Sequence, residues 1–177
     1  MIETNQQQRI AHLIEPAQIE TLSILGPTIQ VLTPPGAEDT WPCLMRGTIP
    51  PGVVIPMHSH ADPETFIVVS GEVEGLVVDG DDATWRPIAA ADIFHVPSGA
   101  KHAWRNPTPA PAAMFIVSTS KMARFFQELG VPVRSGATPA PPSPEALRHF
   151  QEVSARYGYW NATPEENARV GIALPVA

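Results

Sequence analysis

The sequence has few of the features that mark a nucleic-acid-binding, membrane-spanning or disulfide-stabilised protein. Lysine and arginine number 11 in 177 residues and the formal net charge is -7, so no basic cluster is available to bind phosphates. No apolar run approaches the ~20 residues that a membrane-spanning helix needs. Cys43 is the single cysteine, which excludes an intrachain disulfide and fits a reducing compartment. Residues 1–9 are polar and lack the apolar core of a signal peptide. We therefore expect a soluble, cytoplasmic protein that binds neither nucleic acid nor membrane.

Apolar residues and proline are plentiful instead. Hydrophobic residues make up 44% of the chain and charged residues 16%, a balance that is typical of a globular protein and not of a disordered one. The length is sufficient for one domain with a full core and short extensions. The 21 prolines favour many short strands joined by stiff turns and argue against long helices in the middle of the chain.

Residues 22–118 have the pattern of an all-β domain. Short apolar runs follow one another, and each is bounded by proline or glycine. The run Asp79-Gly80 predicts a hairpin, because these residues accept the positive φ angles of a type I′ turn. No helical segment separates the predicted strands, so a sandwich or small barrel is favoured over a parallel α/β sheet.

The pattern becomes helical after residue 118. Apolar residues recur at helical spacing over residues 122–129, and Gly130 ends this predicted helix. Residues 131–143 form a proline-rich connector. Ser143 then predicts an N-cap for a second helix, and Thr163 begins a capping box for a third.

Two histidines and a glutamate predict a metal site. His58 and His60 are two residues apart, so their side chains lie on the same face of a strand. Glu64 begins the apolar run that follows a turn at Asp62-Pro63, and it would face both imidazoles if that run paired back on the first strand. Two neutral nitrogens and a carboxylate suit a divalent transition metal. His102, which opens a later short strand, is the candidate fourth ligand.

These two stretches resemble the paired motifs of the cupin superfamily. The first motif is matched by glycine, His-x-His, glutamate and glycine at the expected spacing, and the second by Pro-x-Gly, histidine and asparagine. The matching residues are Gly52, His58, His60, Glu64 and Gly71 in the first motif and Pro97, Gly99, His102 and Asn106 in the second. Ala91 stands where the second motif begins with glycine, a difference that concerns a turn and not the metal.

The resemblance implies a cupin jelly-roll barrel with helices packed on its outside. The pattern along the chain predicts an N-terminal arm over residues 1–21, either loose or packed on a partner subunit, a cupin barrel over residues 22–118 and a C-terminal helical extension of the same domain over residues 119–177. The resemblance also names His58, His60, Glu64 and His102 as ligands of one divalent transition metal, with Fe, Ni, Mn, Cu and Zn all compatible with the ligand type. No internal repeat is visible, which indicates a single cupin unit.

The residues beside the ligands predict an apolar, partly aromatic pocket. Strand alternation turns Phe66 and Val68 inward with Glu64, and Trp104 and Asn106 inward with His102. We take Phe66, Val68 and Trp104 as substrate-binding residues, together with Phe115 and with Arg46, the best candidate for an inward arginine. Asn106 is assigned a supporting role behind the ligands.

The resemblance to flavonol dioxygenases of the quercetinase kind gives the first functional hypothesis. It is a dioxygenase that cleaves an enolic or aromatic small molecule, with dioxygen held at the metal and Glu64 as the residue that accepts a proton. The alternatives are a metal-dependent isomerase, decarboxylase or hydrolase of a small acid, which an inward Arg46 or His95 would favour, and a non-catalytic small-molecule-binding protein. Apolar outward residues Ile67 and Val69 predict a homodimer.

Overall fold

The computed structural model describes residues 10–134 and 142–173, and this part of the chain contains twelve strands and three α-helices. The strands are β1 (Leu22–Ser23), β2 (Thr28–Val31), β3 (Pro42–Ile49), β4 (Val54–Ser59), β5 (Glu64–Ser70), β6 (Glu72–Asp79), β7 (Asp82–Ala89), β8 (Ile93–Val96), β9 (His102–Arg105), β10 (Ala112–Thr119), β11 (Val131–Pro132) and β12 (Trp160–Asn161). The helices are α1 (Ser120–Leu129), α2 (Pro144–Tyr157) and α3 (Pro164–Arg169), and a single 3-10 turn spans Pro16–Gln18. None of the helices described is long and apolar enough to cross a membrane.

The strands form two antiparallel sheets. One has seven strands in the order β11-β1-β2-β3-β10-β5-β8, and the other has five in the order β12-β4-β9-β6-β7. Consecutive strands such as β4 and β5 belong to different sheets, as in a jelly roll. The expected all-β jelly-roll architecture is therefore confirmed, with β11 and β12 added from beyond residue 118.

The strand that begins with Glu64 does not pair with the strand that carries His58. β5 lies between β10 and β8, whereas β4 lies between β12 and β9. The sequence had offered pairing of these two strands as the route that brings Glu64 to the histidines. In the structure Glu64 reaches them across the interior, from the opposite sheet.

The core fills the space between the two sheets. Along β3, buried residues alternate with partly exposed ones, so Cys43, Met45 and Ile49 point inward. Met114 and Ile116 of β10 do the same from the neighbouring strand. Cys43 is 1% exposed, which agrees with a packed and not a reactive thiol.

The three C-terminal helices lie where the sequence predicts them, and the predicted N-caps Ser143 and Thr163 open α2 and α3. Thr119 caps α1 by accepting from the backbone N–H of Met122, and Ser143 caps α2 by accepting from Ala146 N–H. Gly158 ends α2 in the left-handed conformation, and the capping box of Thr163 and Glu166 opens α3. Of the predicted connector, residues 135–141 lie outside the described residues.

Four motif positions have a left-handed backbone, with φ between 72° and 77°: Gly52, Gly71, Gly99 and Ala91. Gly71 has φ of 76°, and a Cβ there would meet the carbonyl oxygen of Pro111 at 2.6 Å, so only glycine fits. Ala91, at the position where the motif expects glycine, has φ of 76° as well. The turn therefore keeps the conformation that the motif glycine would adopt, and alanine bears the strain.

The described part of the N-terminal arm packs on its own chain. The side-chain amide of Gln30 donates to the carbonyls of Pro16 and Ile19, at 2.8 and 3.0 Å. These bonds fix the 3-10 turn beside β2. Residues before it are largely exposed, with Ile10 at 68% and Leu13 at 83%.

Candidate metal centre

The five-stranded sheet brings two of the three histidines together directly. His58 of β4 lies opposite His102 of β9 in the antiparallel register, and their ring centroids are 4.2 Å apart. The register shifts between Ile55 and His58, where Pro56 interrupts the ladder. Met57 still faces the other side of the sheet, in a separate apolar cluster. The alternation predicted for this strand is thus kept despite the proline.

His60 follows the end of β4 and completes the triad. Its ring centroid lies 5.6 Å from that of His58 and 5.1 Å from that of His102. Nitrogen atoms of the three rings all lie within 4.8 Å of one another. His60 and His102 are 4% and 2% exposed, whereas His58 is partly exposed. The centre is therefore open to solvent on the His58 side.

Backbone carbonyls orient all three rings in the same way. Nδ1 of His58 lies 2.8 Å from the Pro56 oxygen, that of His60 lies 2.7 Å from the Asp62 oxygen, and that of His102 lies 3.1 Å from the Ala100 oxygen. A carbonyl can only accept, so each Nδ1 carries the proton and donates. This tautomer leaves Nε2 of each neutral ring as the ligand atom.

Glu64 joins the centre from the opposite sheet. Its Oε2 lies 3.2 Å from His60 Nε2 and 3.4 Å from His102 Nε2, and the residue is 4% exposed. The carboxylate does not belong to the group of atoms that all lie within 4.8 Å of one another, which comprises the three histidines alone. Glu64 therefore contacts two members of the triad, and its role as fourth ligand remains a prediction.

The charges of these groups are set by burial and by one another. Burial alone would raise the pKa of Glu64, but His102 and His60 outweigh it and lower that pKa to about 2. Burial lowers the pKa of His58 to about 3, and the neighbouring His102 and His60 act in the same direction. Burial also disfavours the protonated form of His60, but the Glu64 carboxylate outweighs it and raises the pKa of His60. At neutral pH Glu64 is an anion and His58 is a neutral imidazole.

The residues present fit a divalent metal ion. Nε2 of His60 and Nε2 of His102 are both buried, and neither makes a hydrogen bond. Buried polar atoms without partners are rare in proteins. A metal ion bound by these two nitrogens and by the Glu64 carboxylate would give both nitrogens a partner. Neutral imidazoles and a carboxylate are the donors that transition-metal ions accept. The sequence-predicted histidine ligands are thus brought together as a possible metal site.

Three of the predicted substrate-binding residues lie behind the centre in the barrel interior. Phe66, Val68 and Trp104 are 5%, 1% and 2% exposed, and the Phe66 and Trp104 rings lie 4.6 Å apart. Phe94 packs against Trp104 from β8 at 5.0 Å. These side chains fill the barrel and form an apolar layer behind the ligands, in which Phe66 and Trp104 each lie two residues beyond a ligand on the same strand.

The structure places Arg46 and Phe115 elsewhere. They are paired in register on β3 and β10, and both alternate with inward core residues, so they lie on the outer face of the seven-stranded sheet. Arg46 lines a groove there beside Pro16 and Gln30. His95 is exposed on the same sheet and lies 3.0 Å from the Thr65 hydroxyl. The prediction that Arg46 and Phe115 line the pocket therefore does not fit their strand faces.

Asn106 forms its hydrogen bonds in a turn that lies away from the metal ligands. Its side-chain amide donates to the carbonyls of Ile49 and Ala110 at 2.9 and 2.8 Å, and its oxygen accepts from the Thr108 backbone and hydroxyl. Its side-chain donors and acceptor are therefore satisfied by other groups. The contacts described for Asn106 stabilise a turn, and none of them reaches a histidine.

Sequence reasoning missed two residues that contact the centre. Asp62, interpreted as a turn residue bonded locally, is 5% exposed and its carboxylate accepts from Thr119 and from Tyr159. The Tyr159 ring lies 5.1 Å from the His60 ring. Burial and then Asp62 raise the pKa of Tyr159, so its hydroxyl keeps the proton and donates. Asp62 continues the two-residue spacing of His58, His60 and Glu64, and this spacing could have indicated that its side chain points inward. The sequence contains no comparable signal for Tyr159.

Residues 45–118 match a family model described as a cupin domain. No curated protein sequence matches the chain. The polyketide cyclase RemF from Streptomyces resistomycificus is similar in structure, with a TM-score of 0.56 and 13% identity over 81% of this chain and 99% of that one. An RmlC-like cupin from Shewanella frigidimarina has a TM-score of 0.53 and 21% identity, covering 66% of this chain and 96% of its own. A sugar phosphate isomerase of the cupin superfamily from Silicibacter pomeroyi has a TM-score of 0.52 and 20% identity, covering 61% and 75%. These identities show a shared fold, and with the domain match they support the cupin superfamily.

Proposed function

We propose that this cupin is a metal-dependent dioxygenase that acts on an enolic or aromatic small molecule. The observation that supports the proposal most directly is the convergence of three imidazoles on one another, with the Glu64 carboxylate in contact with two of them, His60 and His102, whose Nε2 atoms are buried. A divalent transition metal held by His58, His60, His102 and Glu64 would supply Lewis acidity and, when redox-active, reactivity toward dioxygen.

The surroundings of the centre favour an apolar substrate. Phe66 and Trp104 form the layer directly behind the ligands, and no lysine or arginine is among the buried residues of the part described. An inward cation would favour a small acid as substrate, and the two candidates for such a group, Arg46 and His95, lie on the outer face. Because the interior is filled by its own side chains, the substrate would bind at the rim, on the side where His58 is exposed.

Glu64 is the proton acceptor in this proposal. It is ionised at neutral pH because His102 and His60 lower its pKa, and burial removes competing water from it. A bound metal that acidifies the enolic hydroxyl would offset the weak basicity of a carboxylate with so low a pKa. A carboxylate in contact with His60 and His102 can accept the proton of an enolic hydroxyl bound next to it. The three histidines would hold their positions during this step, because each Nδ1 is fixed by a carbonyl.

Metal analysis followed by oxygen uptake tests the proposal. The protein would be loaded separately with Fe, Ni, Mn, Cu and Zn and supplied with a panel of enolic aromatics, flavonols included. We expect oxygen uptake with at least one redox-active metal, incorporation of both atoms of labelled dioxygen into product, and loss of uptake in His58→Ala. His95→Ala removes an outer-face histidine and is the matched control. Absence of uptake with every metal and substrate would contradict the dioxygenase.

A second candidate function uses the same base without dioxygen. An ionised, buried Glu64 beside a Lewis-acidic metal could isomerise or cyclise a carbonyl compound by moving a proton. The polyketide cyclase and the sugar phosphate isomerase show that this fold occurs in proteins named for such reactions. Turnover that persists under anaerobic conditions, or with Zn as the metal, would favour this candidate, since Zn has no redox chemistry. Metal binding without turnover of either kind would leave a small-molecule-binding protein.

A further inference from the structure

We propose that Asp62, Thr119 and Tyr159 form a positioning network through which the C-terminal extension fixes the metal ligand His60. The inference rests on the metal site in the proposed function and not on the reaction at that site. Thr119 and Tyr159 lie outside the segment matched by the cupin domain, residues 45–118. The network therefore assigns a task to a part of the chain that the family resemblance leaves without one.

The backbone of Asp62 holds His60 directly. Its carbonyl accepts from His60 Nδ1 at 2.7 Å, the shortest of the three carbonyl–imidazole contacts. His60 follows the end of β4, and outside the strand its carbonyl accepts from the Gly99 N–H at 2.8 Å. That bond fixes the His60 backbone, whereas the direction of its ring depends on where the loop places the carbonyl of residue 62.

The side chain of Asp62 is what places that loop. It is 5% exposed, and each of its two carboxylate oxygens accepts from one hydroxyl: Thr119 donates to Oδ1, and Tyr159 donates to Oδ2 at 2.8 Å. A buried carboxylate is stable only when its oxygens have partners. The Ser118 hydroxyl adds a bond to the carbonyl of Pro63 at 2.9 Å. The loop is thus anchored on the junction of β10 and α1.

Both hydroxyl donors are themselves fixed by the C-terminal helices. Thr119 is the N-cap of α1 and accepts from Met122 N–H at 3.1 Å, so its hydroxyl has one remaining direction in which to donate. The Tyr159 N–H donates to the carbonyl of Ser154 at the end of α2. The Tyr159 ring lies between His60, at 5.1 Å, and Phe125 of α1, at 4.6 Å. A shift of either helix would therefore move the carboxylate and, through it, His60.

Tyr159→Phe in the full chain tests the network, because it removes one hydroxyl and keeps the ring that packs on His60. The matched control is Tyr157→Phe, which removes a hydroxyl from the same aromatic cluster, two residues away, without contact to Asp62. Each protein would be titrated with Co²⁺ against a chelator, and its visible absorption spectrum recorded. Loss of the direct outer partner of a metal-ligating histidine costs roughly 10–100-fold in metal affinity. Tyr159 acts one contact further out, through Asp62, so we expect a Kd for Co²⁺ weaker by up to ~10-fold and an altered spectrum in Tyr159→Phe, and wild-type values in Tyr157→Phe.

A second pair of variants keeps the test decisive if Tyr159→Phe does not fold. Thr119→Ser retains the hydroxyl and should bind Co²⁺ like the wild type, whereas Thr119→Val lacks it and should bind more weakly with an altered spectrum. A purely structural role would lower the unfolding temperature of the metal-free variants and leave both the Kd and the spectrum unchanged, and that result would overturn the inference. A wild type that binds no metal would overturn the proposed function and the inference together. A wild type that binds Co²⁺ without any turnover would contradict only the reaction.

Discussion

The metal-free protein should lose stability in acid because of one carboxylate, Glu64. Its folded-state pKa is about 2 against an ordinary value of 4.5, so its contribution is present above the unfolded value and is lost as pH falls toward the folded one. The difference of about 2.5 units corresponds to roughly 3 kcal/mol in total. Linkage places about 2 kcal/mol of this loss between pH 5 and pH 3.

The pH range is chosen so that His60 does not interfere in the wild type. Its pKa is raised on folding, so the stability it adds is complete below its unfolded value of 6.5 and is lost only as pH rises through the folded value. Between pH 5 and pH 3 that contribution is constant in the wild type. In Glu64→Gln the carboxylate that raises this pKa is gone, so buried His60 also opposes folding in acid and reduces the difference between the two proteins. His58, with a lowered pKa of about 3, opposes folding increasingly over the same range, and it does so in both proteins compared.

Urea unfolding of the wild type and Glu64→Gln in chelator, at pH 5 and pH 3, measures the effect. We expect the wild type to lose up to ~2 kcal/mol more than Glu64→Gln between these two pH values. Glu74→Gln removes a partly exposed carboxylate that pairs with Arg105 outside the site, and it should retain the wild-type loss. Equal losses in the wild type and Glu64→Gln would refute the view that the imidazoles hold Glu64 ionised before any metal binds.

Three further predictions concern other parts of the molecule. Ala91→Gly should raise the unfolding temperature by about 1–3 °C, because relief of the left-handed strain, ~1–2 kcal/mol, exceeds the entropy that glycine adds to the unfolded chain; an unchanged or lower temperature would contradict this. We propose a homodimer through the outer face of the seven-stranded sheet, where Ile93 is 66% exposed beside Ile67. Light scattering should give twice 19.1 kDa for the wild type and a smaller mass for Ile93→Lys, and a monomeric wild type would refute the interface. Cys43, whose thiol pKa burial raises, should react with a disulfide reagent far more slowly in the native protein than in urea, and rapid native labelling would contradict its packing.

The sequence motifs could place the histidines relative to each other because the direction of a side chain on a strand depends only on its position in that strand. Two residues on one strand face the same way whatever the strand pairs with, so His58 and His60 could be placed together from their spacing. The N-caps of α2 and α3 were predictable for the same reason, since each depends on residues within one helical turn. These features therefore agree between sequence and structure.

The partners of each strand could not be read from the sequence. The apolar run after Glu64 fits beside β4 or across from it equally well, and hydrophobic alternation does not distinguish the two. Arg46 and Phe115 are examples of the resulting error, because a shift of one residue in the assumed alternation moves a side chain to the opposite face of the sheet. The contact between Tyr159 and Asp62 could not be predicted for a related reason, because the two residues are 97 positions apart in the sequence.

The charges at the centre limit which substrate could bind there. Asp62 places a second buried carboxylate behind His60, and the part described buries no lysine or arginine, so the imidazoles are the only buried counter-charges described beside Glu64. A divalent ion would supply positive charge there, with the metal-ligating imidazoles neutral. Glu64 would offset one of its two charges, and Asp62 adds a negative charge close by. A substrate with two or more negative charges would therefore need a cation that the described interior lacks. These charges favour an enol over a dicarboxylate or a sugar phosphate.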